Sequence, residues 1–129
     1  MAKKTKTLGK LKQEVQVVFN AYIRERDNDQ PCISCGQYKT LQAGHFYAVS
    51  THQGLRYDEY NVHGECSGCN CFNESHLINY YDNLIRKIGT LKFMELQNRA
   101  AEYKANGYKF TRSELMEIKN KYQTKLNEL

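Results

Sequence analysis

Cys32-Ile33-Ser34-Cys35-Gly36 and Cys66-Ser67-Gly68-Cys69 are the two stretches whose reading decides the fold. Each is a Cys-x-x-Cys pair. Two intervening residues let one tight turn bring both thiols to a single tetrahedral ion, and Gly36 and Gly68 give the backbone the freedom such turns need. In a reducing compartment paired cysteines are metal ligands rather than disulfides, and two knuckles together read as one zinc site. Cys32, Cys35, Cys66 and Cys69 would close the shell of that Zn²⁺ and leave no position for water or substrate. The zinc is therefore expected to be structural, accounting for folding and not for activity. Cys71 is the leftover thiol, read as a spare packed side chain. The 30 residues between Cys35 and Cys66 exceed the most familiar zinc spacing, so something is inserted between the two halves.

Outward from the knuckles the pattern changes. Residues 31–71 hold all five Cys, three of the four His and five of the eight Gly, with no helical period. Short strands and loops are expected there, with one strand around Thr40–His45 and a second around Asn61–Gly64. On the N-terminal side Leu11, Val15, Val18, Phe19, Tyr22 and Ile23 share one helical face, and Asn28-Asp29-Gln30-Pro31 ends that helix. On the C-terminal side Leu77, Tyr81, Leu84, Ile85 and Ile88 predict a helix stopped by Gly89. Thr90 is then read as the cap of a helix over roughly 91–105, closed by Asn106-Gly107. Thr111 and Glu114 form a capping box for a last helix lined by Leu115, Ile118, Tyr122, Leu126 and Leu129.

A chain of 129 residues suits one domain, and one small enough to benefit from a metal cross-link. The division expected is a basic disordered arm over 1–7 and a single domain over 8–129, with its zinc core at about 31–76 and C-terminal helices over 77–129. The formal net charge is +5, and Lys3, Lys4, Lys6, Lys10 and Lys12 precede the first acid, Glu14. Such an arm fits a polyanionic partner as well as simple solubility. No apolar run approaches a membrane span and the basic N-terminus lacks the apolar stretch of a signal peptide, so no membrane partner and a cytoplasmic location are expected.

The insert carries the residues with chemistry. His45 lies in Gln42-Ala43-Gly44-His45-Phe46, Asn61 in Tyr60-Asn61-Val62-His63-Gly64, and Asn70 directly follows Cys69. Taken singly, His45 is a polar residue at a strand end, Asn61 a turn former and Asn70 a helix cap. As a set, together with Phe19-Asn20-Ala21-Tyr22-Ile23-Arg24, Leu55-Arg56-Tyr57, Asn79-Tyr80 and Ile88-Gly89, they resemble the HNH, or ββα-metal (His-Me finger), nucleases. The closer resemblance is to the phage NinG (Rap) family of recombination nucleases. It covers roughly residues 10–95, and its specificity lies in the combination.

That resemblance implies an α+β, mostly helical fold: a zinc-stapled ββα-metal finger flanked by helices. It implies a metal-dependent DNA endonuclease, phage- or prophage-encoded, acting on branched recombination intermediates such as Holliday junctions or displacement loops. His45 would be the general base, held in orientation by Asn61. Mg²⁺ or Mn²⁺ would be the catalytic cation, with Asn70 a ligand. Many HNH nucleases place an acidic ligand just before the base; here, as in the NinG-like motif, that position is Gly44. Glu74, four residues beyond Asn70 on a helical face, is preferred as the missing carboxylate, ahead of Asp58, Glu59 and Glu65. Arg56 is read as a phosphate clamp by its paired donors, against an ordinary surface ion pair; His63 and the lysines of the arm are expected as further DNA contacts, and Arg86, Lys87 and Lys92 as an extension of the basic track. His76 is read as surface or helix-start packing. The stripe on the last helix offers a homodimer interface. Two alternatives stand beside this reading: a zinc-stapled nucleic-acid-binding module without catalysis, and an HNH nicking or restriction-type enzyme on ordinary duplex.

Overall fold

The first helix, α1 (Leu8–Arg26), starts where Thr7 accepts a hydrogen bond from the Lys10 N–H, a side-chain oxygen satisfying one of the unpaired amides of the first turn. Its buried face is Leu11, Val15, Phe19 and Ile23, the four-residue spacing of the predicted stripe. The computed structural model describes residues 5–72 and 76–129, leaving aside the side chains of residues 72, 105 and 106. Lys3 and Lys4 of the expected arm therefore lie outside the described residues, as does Glu74. Lys6 is placed: its ammonium lies 2.8 Å from Glu14 of α1.

Strands β1 (Leu41–His45) and β2 (Val62–Cys66) pair antiparallel, with Leu41 opposite Cys66 and His45 opposite Val62. They form a two-stranded sheet. A loop with one 3-10 turn at Gln53–Leu55 joins them. Helix α2 (Ser67–Phe72) begins inside the second knuckle, and α3 (His76–Ile88), α4 (Thr90–Asn106) and α5 (Arg112–Asn127) follow. The fold is thus α+β and mostly helical, a β-hairpin and a four-cysteine cluster held among helices.

All five residues of β2 are buried, because each face of the hairpin meets a different core. Ala43 and Val62 face a cluster built from the α1 stripe, Tyr57, Phe110, Leu115 and Tyr122. On the other side Ile33, Leu55, Tyr80, Leu84, Phe93, Leu96 and Ala100 pack together. A small third cluster of Leu41 with Cys32, Cys66 and Cys69 surrounds the thiols.

Two expectations for the helices need correction. The buried face of α3 is Tyr80 and Leu84, while Leu77 and Tyr81 are exposed. The Tyr80 hydroxyl reaches the Gly44 carbonyl at 2.7 Å, and that bond favours a buried face about one residue from the expected stripe. Thr90 is the first residue of α4 rather than its cap; Gly89, at φ +88, makes the reversal, a conformation that glycine adopts without a Cβ clash. Of the α5 stripe, Leu115 and Tyr122 are buried against α1, whereas Leu129 is exposed beyond the helix end. The Thr111–Glu114 capping box is present in both directions.

The polar end of α1 is an ionic lock and not a solvated terminus. Asp27 is 2 % exposed. Its carboxylate accepts from Arg26 Nε and Nη2 at 2.9 Å each, from the Gly64 amide at 2.9 Å and from Lys87 at 2.8 Å. Burial pushes its pKa up, but Arg26 and Lys87 outweigh that and hold it below the usual carboxylate range. The lock ties α1, β2 and α3 together, and Lys87 is committed to it rather than standing free on a basic track.

Candidate active site and metal centre

The knuckles converge as their spacing predicts. The Sγ atoms of Cys32, Cys35, Cys66 and Cys69 all lie within 4.8 Å of one another, and the Cys35–Cys66 pair is 3.9 Å apart. Four sulfurs at about 2.3 Å from a tetrahedral ion would sit about 3.8 Å from each other, so a small contraction of the cluster would seat a zinc ion. The Cys35 and Cys66 amides donate to Cys32 Sγ at 3.4 and 3.3 Å, which favours the thiolate. Burial pushes the Cys32 and Cys69 thiols up, whereas the Cys69 amide draws Cys66 down to about 7. A bound divalent cation would favour the thiolate at all four. Cys71 is exposed and lies outside the cluster, its thiol 3.6 Å from Gln42 Oε1.

His45 closes β1. Its Nε2 lies 3.0 Å from the Arg56 carbonyl. A carbonyl only accepts, so Nε2 carries the proton and Nδ1 carries the lone pair. Burial lowers the His45 pKa; the carbonyl opposes this and the Arg56 charge adds to it. Arg56 in turn donates from Nε to Gln16 Oε1 at 2.7 Å, and Gln16 donates to Asn20 at 2.7 Å. Two polar residues of α1 therefore fix the guanidinium of the residue whose carbonyl meets the histidine.

Asn61 has a different partner from the one expected. It is fully buried and bonds the loop, accepting from the Tyr47 amide at 2.8 Å and donating to the Tyr47 and Leu55 carbonyls at 3.1 Å each. It holds His45 only through the loop that presents Arg56. His63 is also corrected as a DNA contact. It is 1 % exposed, accepts from Arg26 Nη2 at 3.1 Å and donates to the Tyr60 carbonyl at 2.9 Å, so no ring nitrogen remains for a phosphate. Burial, with the charges of Lys87 and Arg26, lowers its pKa to about 3. Lys92 lies over the Tyr60 ring at 5.6 Å.

On the face of the hairpin that carries Gln42, Gly44, His63 and Glu65, a second group of polar residues assembles. Asn70 donates to Gln42 at 2.9 Å. Glu65, fully buried and opposite Gln42, accepts from Ser34 and lies 2.7 Å from His76 Nδ1. Glu65 enters the expected metal ligands only behind Glu74, and His76 not at all. The signal available for Glu65 was its place inside Gly64-Glu65-Cys66, where a strand running into a knuckle would be covered on both faces. Gln16 and Asp27 had no such signal, because each looks like an ordinary polar position in or at the end of a helix; Asn20 stood only as one member of a motif that carries the resemblance.

Among the described residues no helix is long and apolar enough to cross a membrane. No solved structure matches the chain. The proteins called "Protein ninG" from Escherichia phage 933W and Salmonella phage P22 are each 40 % identical to it over 119 residues, and that from Escherichia phage lambda is 39 % identical over 119 residues. These alignments cover 91 % of this chain and 56 to 57 % of each relative, so the chain spans little more than half the length of those relatives. The family described as "Bacteriophage Lambda NinG protein" matches over residues 1–129, and the chain belongs to that family.

Proposed function

We propose that this protein is a metal-dependent DNA endonuclease of the ββα-metal type, cutting branched recombination intermediates. The observation that carries the reading is the His45–Arg56 pair: a histidine whose tautomer is set by the Arg56 backbone carbonyl 3.0 Å away, while the guanidinium of the same residue is anchored to α1 by Gln16. Phosphodiester hydrolysis needs a base for the attacking water and positive charge on the phosphate. His45 Nδ1 accepts the proton of the water as its oxygen attacks phosphorus. The remaining N–H donors of Arg56 take the non-bridging oxygens, and Asn61 keeps the loop that positions both. A divalent cation, Mg²⁺ or Mn²⁺, supplies charge for the phosphate and the departing 3′ oxygen when bound. The departing 3′ oxygen takes a proton from solvent, and the products are a 5′ phosphate and a 3′ hydroxyl. Because burial lowers the His45 pKa, the base stays deprotonated below the ordinary histidine value. The acid limb of kcat/KM is therefore expected below pH 6.5.

The zinc cluster supports this chemistry indirectly by fixing the end of β2 and the start of α2. The test is cleavage of a four-way junction, a displacement loop and a linear duplex of matched sequence, with Mg²⁺ or Mn²⁺ against EDTA, beside His45→Ala. Metal-dependent cutting of branched DNA that the variant loses supports the reading. DNA that is bound and never cut would replace it with the zinc-stapled binding module, and equal cutting of linear duplex with the nicking or restriction-type enzyme.

A further inference from the structure

Glu65 presents a buried oxygen with nothing to bond. Its side chain is fully buried. Oε2 takes the Ser34 hydroxyl and faces His76 Nδ1 at 2.7 Å, but Oε1 meets no donor among the described residues. An unpaired buried carboxylate oxygen is costly unless a donor or a cation completes it. The carboxylate also lies against Gly44. A Cβ at that position would come within 2.9 Å of Glu65 Cβ and closer still to Oε1, so Gly44 is the residue that lets the carboxylate lie there. An acidic group thus sits on the backbone immediately before His45, delivered from the opposite strand rather than from position 44.

We infer that Glu65 and His76 are the protein ligands of a divalent cation, bound between the carboxylate and His76 Nδ1. Two adjacent ligands each about 2.1 Å from an octahedral ion are about 3 Å apart, close to the 2.7 Å between Glu65 Oε2 and His76 Nδ1. A small opening of the pair admits an ion held by His76 Nδ1 and by the carboxylate, whose Oε1 has no other partner among the described residues. The His76 side chain is 18 % exposed while that of Glu65 is closed off, so among the described residues the approach for water or a phosphate oxygen is on the His76 side. Asn70 lies against Gln42, the cross-strand neighbour of Glu65, and the Ser34 hydroxyl bonds Glu65 Oε2 directly, so both stand near the carboxylate. A carboxylate with an imidazole suits Mn²⁺ better than Mg²⁺, which favours oxygen alone. The site deepens the metal-dependent reading by naming its ligands and rests on that reading only for its role, since the binding itself stands without catalysis.

The test uses the zinc-loaded chain and Mn²⁺ as probe. Electron paramagnetic resonance counts bound Mn²⁺, and spin-echo modulation detects a histidine nitrogen on the ion. One Mn²⁺ per chain is expected, with a nitrogen coupling that His76→Ala removes and an affinity that His76→Ala and Glu65→Gln each weaken at least ten-fold, the zinc remaining at one per chain. If Glu65→Gln loses its zinc, His76→Ala decides alone, because its ring lies at the start of a helix and is partly exposed. Failure to take up Mn²⁺ at millimolar concentration, or a coupling and affinity unchanged in His76→Ala, overturns the inference. Cleavage supported by Mn²⁺ that His76→Ala binds normally would sink the site and leave the nuclease reading standing. Mn²⁺ held through His76 by a protein that cuts no DNA would do the reverse.

Discussion

Replacing Asn61 by alanine isolates the residue on which the geometry around His45 depends. Its amide makes three hydrogen bonds of 2.8 to 3.1 Å to backbone groups of Tyr47 and Leu55, and none to the His45 ring. Each bond contributes about 1 kcal/mol net, so Asn61→Ala should cost about 3 kcal/mol, more if the buried backbone groups stay dry. Asn61→Asp is the sharper variant. It keeps the acceptor for the Tyr47 amide but sets a carboxylate oxygen against two carbonyls, so it should be at least as damaging. Urea unfolding of the zinc-loaded protein measures both, read as a shift in midpoint at constant slope. Loss of DNA cutting should accompany the destabilisation, because the same loop presents the Arg56 carbonyl to His45. A stability change below about 0.5 kcal/mol in Asn61→Ala, together with loss of cutting, would refute the reasoning and return Asn61 to direct contact with the reaction. An Asn61→Asp protein as stable as wild type would refute it as well.

Stripping zinc with a chelator and a thiol reagent should release one ion per chain and abolish the cooperative thermal transition, since apparent zinc affinities of about 10–16 kcal/mol become folding free energy; an unchanged Tm in the metal-free protein would contradict a structural site. Asp27→Ala should cost about 3–5 kcal/mol by leaving Arg26 and Lys87 unpaired in a buried setting, measured by the same urea titration. His63 gives the pH dependence its sign. Its folded pKa of about 3 lies below the unfolded value of about 6.5, so below pH 6.5 the unfolded chain takes up a proton that the folded one refuses. The stability it contributes is full above pH 6.5 and is lost as pH falls toward 3. Between pH 7 and 5, in zinc-saturated protein, His63→Gln should therefore show a shallower loss of stability than wild type, and an identical slope would count against a buried neutral ring.

The amino-acid sequence by itself determined whatever rests on short spacing. Two residues between thiols define a knuckle, the interval from Thr111 to Glu114 defines a cap, and the four-residue recurrence from Leu11 to Ile23 defines a buried helical face. Each is settled within one or two turns of backbone, so neighbouring residues carry the whole signal. Pairings across the chain were settled only by the tertiary structure. Nothing local distinguishes Asp27 from a solvated helix end until Lys87, 60 residues on, closes over it. Tyr80 displaces Tyr81 from the core because its hydroxyl finds the Gly44 carbonyl, 36 residues away. His63 is inert because Arg26 occupies it, and Asn61 bonds a loop rather than His45 because the hairpin brings Tyr47 and Leu55 to its amide. Glu65 meets His76 only once α3 has docked on the hairpin. Those contacts cost chain entropy that packing of the two cores offsets, and no window of sequence contains both of their ends.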